Sequence, residues 1–274
     1  VSPGVYDLDQ WNPEYWNRLR FLYNETLKRG IVVQQEIWDA FAVLSKDAWK
    51  HTAWNPDNNV TYRYADTQLV DGATPTTRQF FEAVPALNND AVVLGYQREF
   101  VDKLLSIANN YNHILFQIDN ESFFPREISE YWAAYIQAGT TRQVFVADSR
   151  RYHPPSYSNT NFQDASHAVN ALPINNPVLY SFMDLSQNGG NFGEIQYDNL
   201  VWYRDQVEQV AVRPINHTKL YHFNWVTGVP FSQLQQGNDV EAGAKFWRVL
   251  FGGAASARFH RGTFGLGDLA QAHI

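Results

Sequence analysis

Short apolar runs and amphipathic stretches alternate along this chain. The clearest run is Ile114 to Ile118, which leads straight into Asp119-Asn120-Glu121. An apolar run this short reads as a strand covered on both faces. Ile31 to Ile37 is also read as a strand, ended by Trp38-Asp39. Further strands are predicted over Gln143–Ala147, delivering Asp148, and over Val178–Leu185, which carries Asp184 and leads into Ser186-Gln187-Asn188. Two more are predicted at Lys219–Trp225 and Ala254–Arg261. Between them the period changes to that of a helix. Trp11 to Arg29 opens on Asn12-Pro13 and stops at Gly30, the usual signals for a helix start and end. Gln97 to Asn110 carries Phe100, Leu104, Leu105 and Ile107 as one apolar stripe. Glu127–Ala138, Phe162–Leu172, Asp198–Val210 and Val240–Phe251 complete the helical set, and another helix opens near Gly267. Strands alternating with helices imply parallel βαβ units in a single α/β domain.

One long segment departs from this alternation. From about Ala40 to Gly95 the chain is polar and aperiodic, with Trp54-Asn55-Pro56-Asp57-Asn58-Asn59 at its centre. A loop of this length inside a compact domain usually carries function. Trp49, Trp54 and Tyr62 lie in it, where core burial is not expected. Aromatic residues reach 15% of the chain. Flat rings fill cores and also bind the faces of sugars.

The net charge of −7 argues against nucleic acid as the main partner. There is no cysteine, which excludes disulfides and thiol catalysis. No apolar stretch is long enough to span a membrane. The histidines show no metal-like spacing, so no metal is expected. Asn24-Glu25-Thr26, Asn59-Val60-Thr61 and Asn216-His217-Thr218 fit the glycosylation pattern.

Taken in order, these segments resemble the large clan of (β/α)8-barrel glycoside hydrolases. Three stretches carry the likeness. Gly30 to Trp38 is similar to the clan's third strand. Ile114 to Glu121 is similar to the fourth, with its terminal Asn-Glu pair. Phe246-Trp247 with Phe251-Gly252-Gly253-Ala254-Ala255 resembles the last helix and eighth strand of uncharacterised glycosidases in the clan. The resemblance implies a TIM barrel in which strands three to eight are present. Residues 1–274 would then form a single domain, a fragment lacking the first two βα units and the end of the last helix. It further implies a secreted or periplasmic O-glycosyl hydrolase that degrades a polysaccharide or oligosaccharide without a cofactor.

On the clan's pattern Glu121 is the general acid/base and Asn120 holds the sugar 2-hydroxyl beside the scissile bond. A carboxyl group in a partly dry cleft keeps its proton and can donate it. The clan's nucleophile would end strand seven, yet Lys219 to Trp225 contains no Asp or Glu. A second carboxylate is therefore sought at Glu36, Asp39, Asp148 or Asp184, with Asp184 and Glu36 preferred, as a displaced nucleophile or an inverting base. Trp38, Trp54 and Trp225 are candidates for stacking on sugar. His222, Asn224 and His260 are candidates for hydrogen bonds to hydroxyls, and Asp148 is a further candidate contact. Arg258 or Arg261 would clamp the carboxylate of a uronic acid. Helix capping, ion pairing and core packing are the structural alternatives for these residues. A carbohydrate-binding barrel without catalysis is the rival function.

Overall fold

The computed structural model describes residues 4–40, 43, 46–71, 76–120, 124–149, 167–220 and 239–259. The chain falls into two compact units, Val1–Val146 and Ala147–Ile274.

In the first unit, helix α1 (Pro13–Lys28) starts where the Asn12 side chain accepts from the Glu14 N–H at 3.0 Å. Proline at its first position has no amide hydrogen to leave unsatisfied. Strand β1 (Val33–Trp38) follows, and the Tyr23 hydroxyl of α1 donates to Gln35 at 2.9 Å. Helix α2 (Ala91–Ala108) begins six residues before the expected Gln97. The cause is Asp90, whose carboxylate accepts from the amides of Val92 and Val93 at 3.2 and 3.1 Å. Its other oxygen accepts from the Gln68 amide at 2.6 Å, which fastens the preceding loop to the helix start. Asp90→Ala is expected to destabilise the fold by about 1–2 kcal/mol, read as a lower urea midpoint. Strand β2 (Ile114–Asp119), helix α3 (Arg126–Gly139) and the two-residue strand β3 (Val146–Ala147) complete a sheet of order β1-β2-β3. β1 and β2 are parallel, in register from Val33↔Ile114 to Trp38↔Asp119.

The polar stretch between β1 and α2 is more ordered than its pattern suggests. It contains short helices at Lys46–Trp49 and Thr76–Phe81 and 3-10 turns at Pro56–Asn58 and Tyr64–Asp66. Its asparagines hold it together. Asn59 accepts from the amides of Thr61 and Tyr62 and donates to the carbonyls of Ala53 and Asn55. Such local side-chain bonds replace the ladder that a strand or helix would give. Trp49 and Tyr62 are buried, contrary to expectation. Trp49 joins an aromatic core with Trp38, Trp54, Phe80, Phe81, Phe100 and Trp132 through ring contacts that include Trp49–Phe80 at 6.0 Å and Trp38–Trp132 at 5.2 Å, while Tyr62 packs on Tyr96 at 5.6 Å and donates its hydroxyl to the Trp54 carbonyl at 2.6 Å.

The second unit contains helix α4 (His167–Asn175), strand β4 (Met183–Asp184), a 3-10 turn (Ser186–Gly190), helix α5 (Gly193–Val210), strand β5 (Ile215–Leu220), helix α6 (Asp239–Phe251) and strand β6 (Ser256–Phe259). The strands are parallel, in the order β4-β5-β6. Leu200, Tyr203 and Val207 of α5 pack with Ile174, Met183, Ile215, Leu220 and Val249 to form its core. Arg213 fastens the entry to β5 by donating to the carbonyls of Pro173, Tyr180 and Ile174 at 2.5–2.8 Å.

These sheets overturn the barrel expectation. The protein is mixed α/β with two small three-stranded parallel sheets, not a (β/α)8 barrel containing strands three to eight. Closing a barrel requires every strand to pair along both edges with a common tilt and stagger. β3 and β4 are two residues long, and among the described residues one ladder ends at β3 and another starts at β4. The strand expected at Val178–Leu185 shrinks because Asn176 accepts from the amides of Leu179 and Tyr180, making a turn that leaves Val178 exposed. The strand expected at Lys219–Trp225 instead begins at Ile215, and residues 221–225 lie outside the described residues. Among the described residues no helix is long and apolar enough to cross a membrane.

Candidate functional site

Parallel sheets are usually covered on both faces and apolar throughout. Both sheets here depart from that rule. In the first, strand alternation and register set Gln34, Glu36 and Gln117 on one face. A hydrogen bond from the Gln34 amide to the Gln117 carbonyl oxygen joins the two strands across it. Glu36 is exposed in the middle of β1. The opposite face turns Gln35 toward Tyr23 of α1 and buries Ile114, Phe116 and Ile118.

The end of β2 is fixed by a carboxylate. Asp119 is 4% exposed, and its Oδ1 accepts from the Ala40 amide at 3.0 Å and the Asn120 amide at 2.8 Å. The Gln117 side chain donates to its carbonyl at 3.1 Å. These bonds pin the exits of β1 and β2 together and hold Asn120 half-buried at the carboxyl end of the sheet. Ligands of open α/β sheets bind at that end. Asp119 was visible in the Asp-Asn-Glu triplet, but its role as the clamp was not.

The second sheet repeats the design. Asp184, Asn216, Thr218 and Ser256 share a face. The Thr218 hydroxyl donates to Asp184 at 2.7 Å, the Ser186 amide donates to its other oxygen at 2.8 Å, and Ser256 donates to Asn216 at 2.9 Å. Asp184 and Asp148 are both buried, and the hydroxyls of Ser149 and Ser186 meet at 3.0 Å. Arg258 is exposed and donates to the Thr218 carbonyl at 3.1 Å.

The remaining expectations divide cleanly. Trp38 sits in the aromatic core at 6% exposure, with five rings within 6.4 Å of its own. Trp54 packs on Phe80 at 5.2 Å in the same core. Asp39 is exposed at the end of β1. Glu121, His222, Asn224, Trp225, His260 and Arg261 lie outside the described residues. Among the described residues no group of three or more His, Asp or Glu side chains is placed to hold a metal. Two of the glycosylation-pattern asparagines are built into the fold, Asn59 in its loop and Asn216 in β5, whereas Asn24 is exposed on α1.

Sequence reasoning missed two buried ionisable groups in the second unit. His217 of β5 and Lys245 of α6 are both 0% exposed. The Lys245 ammonium donates to the Gly189 carbonyl at 3.0 Å. Burial first, and the Lys245 charge second, push the His217 imidazole down to about 3. A lysine in an amphipathic helix reads as a solvated residue, so the pattern held no warning of its burial.

Fold and site together define a mixed α/β protein with two parallel sheets, each presenting a polar face that carries a carboxylate. No known family profile, curated protein or solved structure matches the chain.

Proposed function

We propose that this protein is a glycosidase, with Glu121 as general acid and Glu36 as the second carboxylate. The observation that carries the reading is the polar face of the β1–β2 pair. It holds an exposed carboxylate, two amide side chains and, at its carboxyl end, Asn120, the residue before Glu121. Amides and carboxylates set side by side match the alternating hydroxyls of a sugar ring. In the proposed reaction Glu121 protonates the departing glycosidic oxygen. Glu36 either attacks the anomeric carbon or takes a proton from the attacking water. Asp184 is a weaker candidate for that second role because both its oxygens already accept hydrogen bonds from the fold.

The test is reducing-sugar release from a panel of soluble polysaccharides by the 274-residue protein. Release is expected, with a loss of at least 100-fold in Glu121→Gln, since a positioned acid contributes on that scale. Glu36→Gln is expected to lose activity to a similar degree. Undiminished release in Glu121→Gln would refute the assignment. A second reading, glycan binding without cleavage, draws on the absence of Asp and Glu from Lys219–Trp225. It predicts retention in a polysaccharide-containing gel with no sugar released.

A further inference from the structure

The feature that the proposed reaction does not use is His217. Its ring is fully buried in the central strand of the second sheet, and neither ring nitrogen has a hydrogen-bond partner among the described residues. Alternation along β5 places it on the same face as Ile215, toward the unit's apolar core. An imidazole can sit there only as the neutral ring, because a buried charge without a partner is heavily penalised.

The charged and titratable groups on the elements around it do not relieve that penalty. From α6 come Lys245 and Arg248; from β4, Asp184; from β6, Arg258; from α5, Tyr203; and Arg213 precedes β5. The turn Ser186–Gly190 carries none. Asp184 belongs to the opposite, polar face of the sheet, where Ser186 and Thr218 hold it. Arg258 is exposed, and Arg213 is occupied by three carbonyls. Lys245 is the charge that acts on His217, and it repels a proton there.

We propose that His217 is an acid-sensitive latch: the sheet β4–β5–β6 holds while the ring is uncharged, and protonation of the ring releases the second unit. In the unfolded chain the imidazole takes a proton near pH 6.5. In the folded unit it refuses one until about pH 3. The stabilising effect of this difference is therefore complete above pH 6.5 and is lost as pH falls from 6.5 toward 3. Well below pH 6.5 the ratio of folded to open protein drops by about tenfold per pH unit, and more gently close to pH 6.5. Carboxylates begin to titrate near pH 4, so between pH 6.5 and 5.0 histidines titrate and carboxylates do not, and His217→Gln separates His217 from the other histidines.

Hydrogen exchange of the 274-residue protein tests the proposal, with rates corrected for the intrinsic pH dependence of amide exchange. The opening equilibrium reported by the amides of β5 is expected to rise about fifteenfold between pH 6.5 and 5.0. In His217→Gln that rise is expected to vanish. The imidazole nitrogen resonances of wild-type His217 supply an arm that does not depend on the variant folding. They are expected to remain those of a neutral ring in the folded protein at pH 5.0. A ring that titrates near pH 6 while the unit stays folded would overturn the proposal. So would β5 opening that is insensitive to pH, or a rise that persists in His217→Gln.

Discussion

Trp38→Ala is expected to destabilise the first unit by about 3–5 kcal/mol, the range for deleting a large buried aromatic side chain. The ring is 6% exposed and contacts Trp54, Phe80, Phe81, Phe100 and Trp132, so its removal leaves a cavity walled by rigid rings. Rings locked by their neighbours collapse poorly into such a space, which places the cost toward the upper end. The indole N–H of Trp38 has no hydrogen-bond partner among the described residues, so Trp38→Phe gives up volume alone and is expected to cost less than half as much. Urea unfolding followed by far-UV circular dichroism checks both values. The same pair separates core packing from sugar stacking. A cost below about 1 kcal/mol for Trp38→Ala, together with loss of retention on glycan gels, would put the ring at a ligand.

The second large effect is expected at Asp119. Asp119→Ala leaves the amides of Ala40 and Asn120 without their acceptor, one of them in a fully buried bond. Each unsatisfied donor costs on the order of 1–3 kcal/mol, so a total of about 2–6 kcal/mol is expected. Both bonds end on Oδ1, and Asp119→Asn keeps an acceptor there. It loses only the charge-assisted part, about half the total. Faster hydrogen exchange at Ala40 and Asn120 is the direct signature. Equal costs for the two variants would show that charge, rather than the acceptor geometry, fixes the strand ends. Any glycan-directed activity should fall with the stability of this clamp, because the same bonds set the position of Asn120.

Much of the secondary structure was legible because it follows from residue periodicity. Arg126–Gly139 and Asp239–Phe251 carry unambiguous apolar stripes, and Ile114–Asp119 is an apolar run with turn residues on either side. The start of β5 was missed because Ile-Asn-His-Thr-Lys-Leu is unusually polar for a central parallel strand, whereas Tyr221–Trp225 is richer in strand-forming aromatics. The polarity comes from a face that carries Asn216 and Thr218, from a histidine in the core and from Lys219. Neither the polar face nor the buried histidine is visible before the pairing is known. Sheet closure was illegible for a related reason. Each segment encodes its own period, but which edge it pairs with, and over how many residues, depends on partners far along the chain. In the candidate site, Glu36 was proposed from its strand position and Asn120 from the Asn-Glu motif. Asp119, His217 and Lys245 draw their roles from neighbours that adjacent sequence does not name.

The turn after β4 bears on how this protein ages. Asn188-Gly189 is the kind of dipeptide that loses ammonia most readily, because glycine lets the following backbone nitrogen reach the asparagine side chain. Here Asn188 is fully buried. Its amide donates to the Gln196 carbonyl, and its oxygen accepts from Asn191 and Asn199. The side chain is thereby held away from the rearrangement that forms the cyclic imide. Deamidation at this position should proceed only in molecules whose second unit has opened, so the one-dalton mass gain of its peptide during storage becomes a slow chemical clock for unfolding.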